Sequence, residues 1–138
     1  MAGRLEGLTV LYLEDDPDTR EVMALGLEQY GARVFAADSA QIALLLFEQH
    51  RPDVIVADLE LADPDLDGWM FMRAVRDLPS EREKRTPAIA VSVHHEPADR
   101  LKSLSAGFTL HVAKPVTADE LAGRIAVLVK PLSDAPGS

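Results

Sequence analysis

Short apolar runs alternate along this chain with segments of helical period, and the alternation repeats five times. The apolar runs cover residues 8–13, 33–36, 54–57, 88–93 and 110–113. Each run is followed by a segment whose apolar side chains recur on one helical face, which is typical of repeated βα units around a parallel sheet. This pattern predicts a doubly wound α/β domain in which every strand has the same direction.

Polar residues follow these runs at the points where the predicted strands end. They are Glu14-Asp15-Asp16 after the first run, Asp58 after the third, Ser92 within the end of the fourth, and Lys114-Pro115 after the fifth. Because the carboxyl ends of parallel strands meet at one edge, where open α/β sheets bind their ligands, we expect these side chains to lie together. An acid cluster, a lone aspartate, a hydroxyl and an ammonium group form a set suited to phosphoryl transfer.

Composition excludes several other classes of protein. The chain has 138 residues and a formal charge of -9, so a basic face for nucleic acid is not expected. It has no cysteine, its N-terminus lacks a signal-peptide core, and no apolar stretch reaches the roughly 20 residues of a membrane span. We expect a cytoplasmic protein of one domain that does not insert into membranes.

The ordered set of strand-end residues resembles the receiver domain of two-component response regulators, over residues 5–132. The resemblance rests first on an acidic pair before Asp-Pro, Glu14-Asp15, and on an Asp after strand three, Asp58. It rests also on Asp67-Gly68 before the next helix, on the hydroxyl of Ser92 after strand four and on Lys114-Pro115 after strand five. Receivers of hybrid histidine kinases and stand-alone regulators are the most similar. We expect residues 133–138 to form a frayed tail and no output domain to be present.

The resemblance implies a flavodoxin-like (βα)5 fold with strand order 2-1-3-4-5. Asp58 would be the nucleophile that takes a phosphoryl group from a histidine kinase or a histidine phosphotransfer protein. Mg²⁺, or Mn²⁺ in its place, would bind Asp15 and Asp58, with Glu14 acting through water. The family pattern adds the backbone carbonyl of Glu60 as a further metal ligand. Asp16 is expected only to cap the following helix.

Lys114 and Ser92 would contact oxygens of the phosphoryl group as charge develops. The resemblance also implies a cis peptide bond between Lys114 and Pro115. A protein of this kind is a signalling phosphoacceptor, which catalyses only its own phosphorylation and dephosphorylation and is not otherwise an enzyme.

Signalling would follow when the phosphorylated Asp58 draws Ser92 inward and changes a surface for a downstream protein. That surface is formed by the fourth predicted helix (97–106), the fifth strand (110–113) and the last helix. Leu101 and Leu104 are the only clear apolar anchors of the fourth helix, which suits a movable element. We expect a monomer or a weak homodimer.

Three features depart from the family pattern. His111 stands at the switch position, where the family has a larger aromatic residue. Val93 replaces a very small residue next to Ser92 and is expected to slow phosphorylation and its reversal, and His94 is placed to overhang the phosphoryl group. The connection between Asp58 and Gly68 is also longer by two residues.

Two alternatives stay open at this stage. A pseudo-receiver would use the same fold as a binding module that never takes up phosphate, and Val93 and His111 favour it. A phosphohydrolase of the haloacid dehalogenase class also combines Asp, a hydroxyl and Lys. That class needs an Asp two residues after its nucleophile, where this chain has Glu60, so this alternative ranks low.

Overall fold

A computed structural model describes residues 3–61 and 68–129 of the chain. The strands are β1 (Thr9–Leu13), β2 (Arg33–Ala37), β3 (Val54–Asp58), β4 (Ala88–Ser92) and β5 (Leu110–Ala113). The helices are α1 (Pro17–Gln29), α2 (Ala40–His50), α3 (Gly68–Arg76), α4 (Ser80–Glu83), α5 (Pro97–Ala106) and α6 (Ala118–Val129). None of the helices in these two ranges is long and apolar enough to cross a membrane.

The strands form one parallel sheet in the order β2-β1-β3-β4-β5, as predicted. Of the three inner strands, β3 and β4 are buried at every residue, which agrees with their nearly continuous apolar sequences. One core lies between the sheet and α2, α3 and α5, and a second core lies between the sheet and α1 and α6. The doubly wound arrangement predicted from the sequence, with helices on both faces of the sheet, is therefore confirmed.

Local capping starts the helices just beyond the strand ends. The carboxylate of Asp16 accepts the backbone N–H of Thr19 and caps α1, and Ser39 caps α2 in the same way. Thr117 and Glu120 form a capping box at the start of α6. These early starts leave the carboxyl edge of the sheet open for side chains from the loops.

Gly68 begins α3 directly against β3. A Cβ atom at this position would lie 2.9 Å from the backbone oxygen of Asp58, too close for any larger residue without movement of the backbone. Its predicted partner in the Asp-Gly motif, Asp67, lies outside the described residues, as do the rest of the loop from residue 62 and the predicted tail 133–138.

The segment from Ser80 to Thr86 connects α3 to β4 and contains the short helix α4. Glu81 on this helix is buried, accepts the backbone N–H and the hydroxyl of Thr86, and pairs with Arg76 of α3. Arg76 also donates two hydrogen bonds to the carbonyl oxygen of Gly107, after α5. A buried carboxylate with its charge matched in this way ties α3, α4 and the end of α5 together.

The predicted anchors of α5 are wrong. Leu101 and Leu104 are 65% and 51% exposed, whereas Ser103 and Ala106 are buried. The small residues face the sheet because β5 presents the ring of His111 there, which accepts or donates a hydrogen bond at Ser103. The helix is therefore attached by a polar contact and close packing rather than by large apolar side chains.

Candidate functional site

Three acidic side chains converge at the carboxyl edge of the sheet. Parallel pairing of Leu13 with Ala57 brings the ends of β1 and β3 side by side. One carboxylate oxygen from each of Glu14, Asp15 and Asp58 lies within 4.8 Å of the others. Glu14 and Asp58 are each only 3% exposed, so two of the three acids are withdrawn from water.

The electrostatics of this cluster favour a bound cation. Burial raises the pKa of Glu14 to about 7, with a further contribution from the hydrogen bond and the charge of Asp58, while the backbone N–H of Asp16 acts in the opposite direction. Burial and the neighbouring Glu14 and Asp58 likewise raise the pKa of Tyr12. Ionisation of all three neighbouring carboxylates is unfavourable in free energy, because their negative charges repel each other. An all-oxygen cluster of this kind suits Mg²⁺ or Mn²⁺. The residues present therefore fit a divalent cation.

Lys114 supplies the positive charge nearest to Asp58. Its ammonium donates a hydrogen bond of 2.9 Å to Oδ1 of Asp58, and it lies 3.5 Å from Oε1 of Glu60. Burial lowers the pKa of Lys114, but the hydrogen bond and charge of Asp58, with Glu60 and Glu14, outweigh it and leave the pKa raised. The peptide bond between Lys114 and Pro115 is cis, as the resemblance implied.

Ser92 lies at the end of β4, across from the end of β3. Its hydroxyl donates a 2.6 Å hydrogen bond to Oε2 of Glu60 and accepts the backbone N–H of His94. The backbone N–H of Val93 donates to Oε1 of the same glutamate at 2.8 Å. The side chain of Glu60 thus accepts hydrogen bonds from Ser92, the last residue of β4, and from Val93, the residue after it. The backbone N–H of Glu60 donates to Asp58.

His111 lies in β5, where it pairs with Ala90 of β4. The ring is buried, with Nε2 at 2.8 Å from the carbonyl oxygen of His94 and Nδ1 at 2.8 Å from the hydroxyl of Ser103. A neutral imidazole with its proton on Nε2 donates a hydrogen bond to the carbonyl oxygen of His94 and accepts one from the hydroxyl of Ser103. Burial lowers the pKa of His111 below its ordinary value. His111 therefore joins the loop after β4 to helix α5.

A cavity of about 410 Å³ opens beside Asp58 and Lys114. Most of its wall is apolar and includes Tyr12, Met23 and Val93. Val93 is 53% exposed at its mouth, so this larger side chain narrows the approach without closing it. His94, the residue after Val93, is also exposed.

The structure brings together the five side chains that were predicted to bind metal or to take part in phosphoryl transfer. Glu14, Asp15, Asp58, Ser92 and Lys114 meet at one edge of the sheet, and His111 is connected to them through His94. Two groups were not predicted from the sequence: the side chain of Glu60, for which only the backbone carbonyl was considered, and the hydroxyl of Ser103. The sequence signal for the side chain of Glu60 is its position, two residues after the predicted nucleophile Asp58.

A model of the response regulator receiver domain family matches residues 10–126 of the chain. An uncharacterised 14.6 kDa protein from the sodA1 3′ region of Leptolyngbya boryana is 37% identical over 117 residues, which cover 85% of this chain and 86% of that protein. The KDP operon transcriptional regulatory protein KdpE of Escherichia coli is 35% identical over 121 residues, or 88% of this chain and 51% of the regulator. The chain thus spans about half the length of this regulator.

Solved structures give the same result for the fold. The receiver domain of the Francisella response regulator 1452 superposes with a TM-score of 0.79 at 27% identity. The superposition covers 90% of this chain and 98% of the Francisella domain. The strand order and the placement of the helices therefore agree with those of a receiver domain of known structure.

Proposed function

The chain belongs to the response regulator receiver domain family, whose members are the phosphoacceptors of two-component signalling, and we propose that Asp58 is its phosphoacceptor. The observation that carries this assignment is the position of the Asp58 carboxylate, hydrogen-bonded to Lys114 and within 4.8 Å of the Glu14 and Asp15 oxygens. A nucleophile, a cation and acids able to hold a metal thus surround one point at the open edge of the sheet. We assign residues 5–132 to the receiver domain.

The transfer is an in-line displacement. A carboxylate oxygen of Asp58 attacks the phosphorus of a phosphohistidine on a histidine kinase or a histidine phosphotransfer protein. An O–P bond forms, the P–N bond breaks, and its electron pair stays on the imidazole nitrogen of the donor. The product is an aspartyl phosphate, which water later hydrolyses, so the protein acts catalytically only on itself.

Lys114 and Ser92 stabilise the group being transferred. The ammonium already lies against Asp58, so it neutralises charge on a phosphoryl oxygen without a large movement. The hydroxyl of Ser92, at the end of the neighbouring strand β4, donates to a second oxygen. Both donors are fixed by the sheet, since the backbone N–H of Lys114 itself bonds to the carbonyl oxygen of Ser92.

Asp15 and Asp58 are the residues that would hold Mg²⁺ or Mn²⁺ directly, with Glu14 acting through water and the carbonyl of Glu60 as a further ligand. When bound, the metal ion offsets the negative charge that two anionic reactants bring together. The pKa of Glu14, raised by burial and by Asp58, supports this assignment because a cation relieves the same repulsion.

The signalling surface is formed by α5, β5 and α6. Movement of Ser92 toward a phosphoryl group alters its hydrogen bond with the backbone N–H of His94. The carbonyl of His94 holds the ring of His111, which in turn holds Ser103 of α5. This chain of contacts supports a proposal that phosphorylation changes the position of α5 and the binding of a downstream protein.

Intact-mass measurement tests the proposed function. The protein is incubated with Mg²⁺ and acetyl phosphate, and in parallel with a chelator or with Asp58→Asn. We expect one added phosphoryl group that is lost in both controls. No added mass at any donor concentration would reject the proposal and favour a pseudo-receiver that binds its partner without phosphorylation.

A further inference from the structure

The carboxylate of Glu60 is placed where an anion would be bound. It accepts the hydroxyl of Ser92 at 2.6 Å and the backbone N–H of Val93 at 2.8 Å. The ammonium of Lys114 lies 3.5 Å from the same carboxylate. A hydroxyl, an amide and an ammonium group therefore converge on one anionic side chain beside Asp58.

Two of these three donors are the groups that the proposed function assigns to the phosphoryl oxygens. Ser92 has one hydroxyl proton, so it cannot donate to Glu60 and to a phosphoryl oxygen at the same time. The backbone N–H of Val93 likewise has a single proton. The presence of Glu60 in this position thus conflicts with the presence of a phosphoryl group.

Resting on the proposed function, we propose that Glu60 is an intramolecular competitor that fills the phosphoryl-oxygen subsite of the unphosphorylated protein. The subsite consists of the Ser92 hydroxyl, the Val93 amide and the Lys114 ammonium. Glu60 must leave this subsite before Asp58 accepts a phosphoryl group, and only molecules in which it has left are competent.

The surroundings of Glu60 permit this departure. Its side chain is 29% exposed, compared with 4% for the side chain of Asp58, so the carboxylate has a route to solvent. The backbone of Glu60 is held independently, because its N–H donates to Oδ1 of Asp58. The side chain is therefore able to rotate outward while the loop after β3 keeps its position.

Two variants distinguish competition for the subsite from charge repulsion of the phosphodonor. Glu60→Gln keeps the length of the side chain and removes its charge, whereas Glu60→Asp keeps the charge and shortens the reach by one methylene group. Competition requires the full-length carboxylate, so both variants should free the subsite. Repulsion of the incoming phosphodonor requires only the charge, so Glu60→Asp should then behave as the unaltered protein does.

The experiment measures the rate of phosphorylation by acetyl phosphate in Mg²⁺, by intact mass, for the unaltered protein and both variants. If the subsite is filled in about nine molecules of ten, both variants should react roughly tenfold faster. Glu48→Gln, on the exposed end of α2, is the matched control and should not change the rate. The amide signal of Val93 in a ¹H–¹⁵N spectrum, recorded without donor, should move in both Glu60 variants and stay in the control.

Acceleration in Glu60→Gln alone would overturn the proposal, because charge repulsion would then be the cause. Unchanged rates in both variants, or an unmoved Val93 signal, would overturn it as well. These results differ from failure of the proposed function, in which neither the unaltered protein nor any variant takes up a phosphoryl group.

Discussion

The ammonium of Lys114 lies 2.9 Å from the carboxylate of Asp58, although the two residues are 56 positions apart in the chain. Strands β3 and β5 carry them to the same edge, and β4 between them carries Ser92. The pair is flanked by Glu14 on one side and Glu60 on the other. A single ammonium thus faces a concentration of negative charge, which explains why its pKa is raised despite partial burial.

Lys114→Met should slow phosphorylation by acetyl phosphate in Mg²⁺. Removal of one preorganised charge donor from such a site costs roughly 100-fold in rate. Lys102→Met is the matched control, because the ammonium of Lys102, on α5, lies over the ring of Trp69 of α3 rather than against Asp58. Equal rates for the two variants would show that Lys114 has no part in the transfer.

Glu14→Gln should stabilise the protein when a chelator is present. The substitution removes a buried negative charge whose repulsion with Asp58 is relieved only by a cation. In Mg²⁺ at about 100 times its Kd, the unaltered protein should gain about 2.7 kcal/mol in free energy of unfolding. Glu14→Gln should gain less, as measured by thermal denaturation with and without the metal.

An equal gain from Mg²⁺ in Glu14→Gln and in the unaltered protein would contradict a role of Glu14 in metal binding. Glu28→Gln, an exposed substitution on α1, serves as the control and should respond to the metal as the unaltered protein does.

The stability of the protein should depend on pH through His111. Burial holds the pKa of His111 below its ordinary value of 6.5, so the unfolded chain binds a proton more readily than the folded protein does. The stabilisation is complete above about pH 6.5 and is lost as the pH falls through the lower pKa of the folded state.

Urea denaturation at about pH 7.5 and about pH 5.5 measures this loss. The decrease in free energy of unfolding should be smaller in His111→Phe, which has no proton to gain. His95→Gln, at an exposed position, should keep the full decrease. A decrease of the same size in His111→Phe would assign the pH dependence to other groups.

Gly68→Ala should destabilise the protein by about 1–3 kcal/mol, as overpacking does in well-packed regions. The new Cβ would lie 2.9 Å from the backbone oxygen of Asp58 and 2.8 Å from Cδ2 of Leu59. Gly123→Ala in α6 is the opposite case, since its nearest neighbour is Nη1 of Arg4 at 3.2 Å, the end of a flexible side chain.

The Gly123 substitution should stabilise the protein by about 1 kcal/mol, because alanine favours a helix interior. Urea denaturation measures the free energy of unfolding of Gly68→Ala and Gly123→Ala against that of the unaltered protein. Similar changes in the free energy of unfolding in both variants would show that the close approach of α3 to β3 does not affect stability.

The parallel sheet and the meeting of the strand-end residues were predictable from sequence, because both depend on regular patterns. Buried strands appear as apolar runs, and parallel strands bring their carboxyl ends to one edge. Asp58, Ser92 and Lys114 each follow such a run, so their proximity did not depend on details of side-chain packing.

The missed features depend on side-chain partners that no local pattern encodes. Leu101 and Leu104 have the helical spacing of a buried face, yet Ser103 is buried instead because His111 of β5 accepts or donates a hydrogen bond there. The burial of Glu81 depends on Arg76 and Thr86 in the same manner. These polar pairs become visible only when the fold places the partners side by side.

The identity of the phosphorylated residue is the most direct test of the central claim. The protein is phosphorylated by acetyl phosphate in Mg²⁺ and treated with sodium borohydride, which reduces an aspartyl phosphate to homoserine, and the peptides are sequenced by mass spectrometry. We predict homoserine at position 58 and at no other acidic residue. Homoserine at Asp15, the longer 2-amino-5-hydroxypentanoic acid at Glu60, or a phosphoryl group on any other residue besides Asp58 would contradict the assignment.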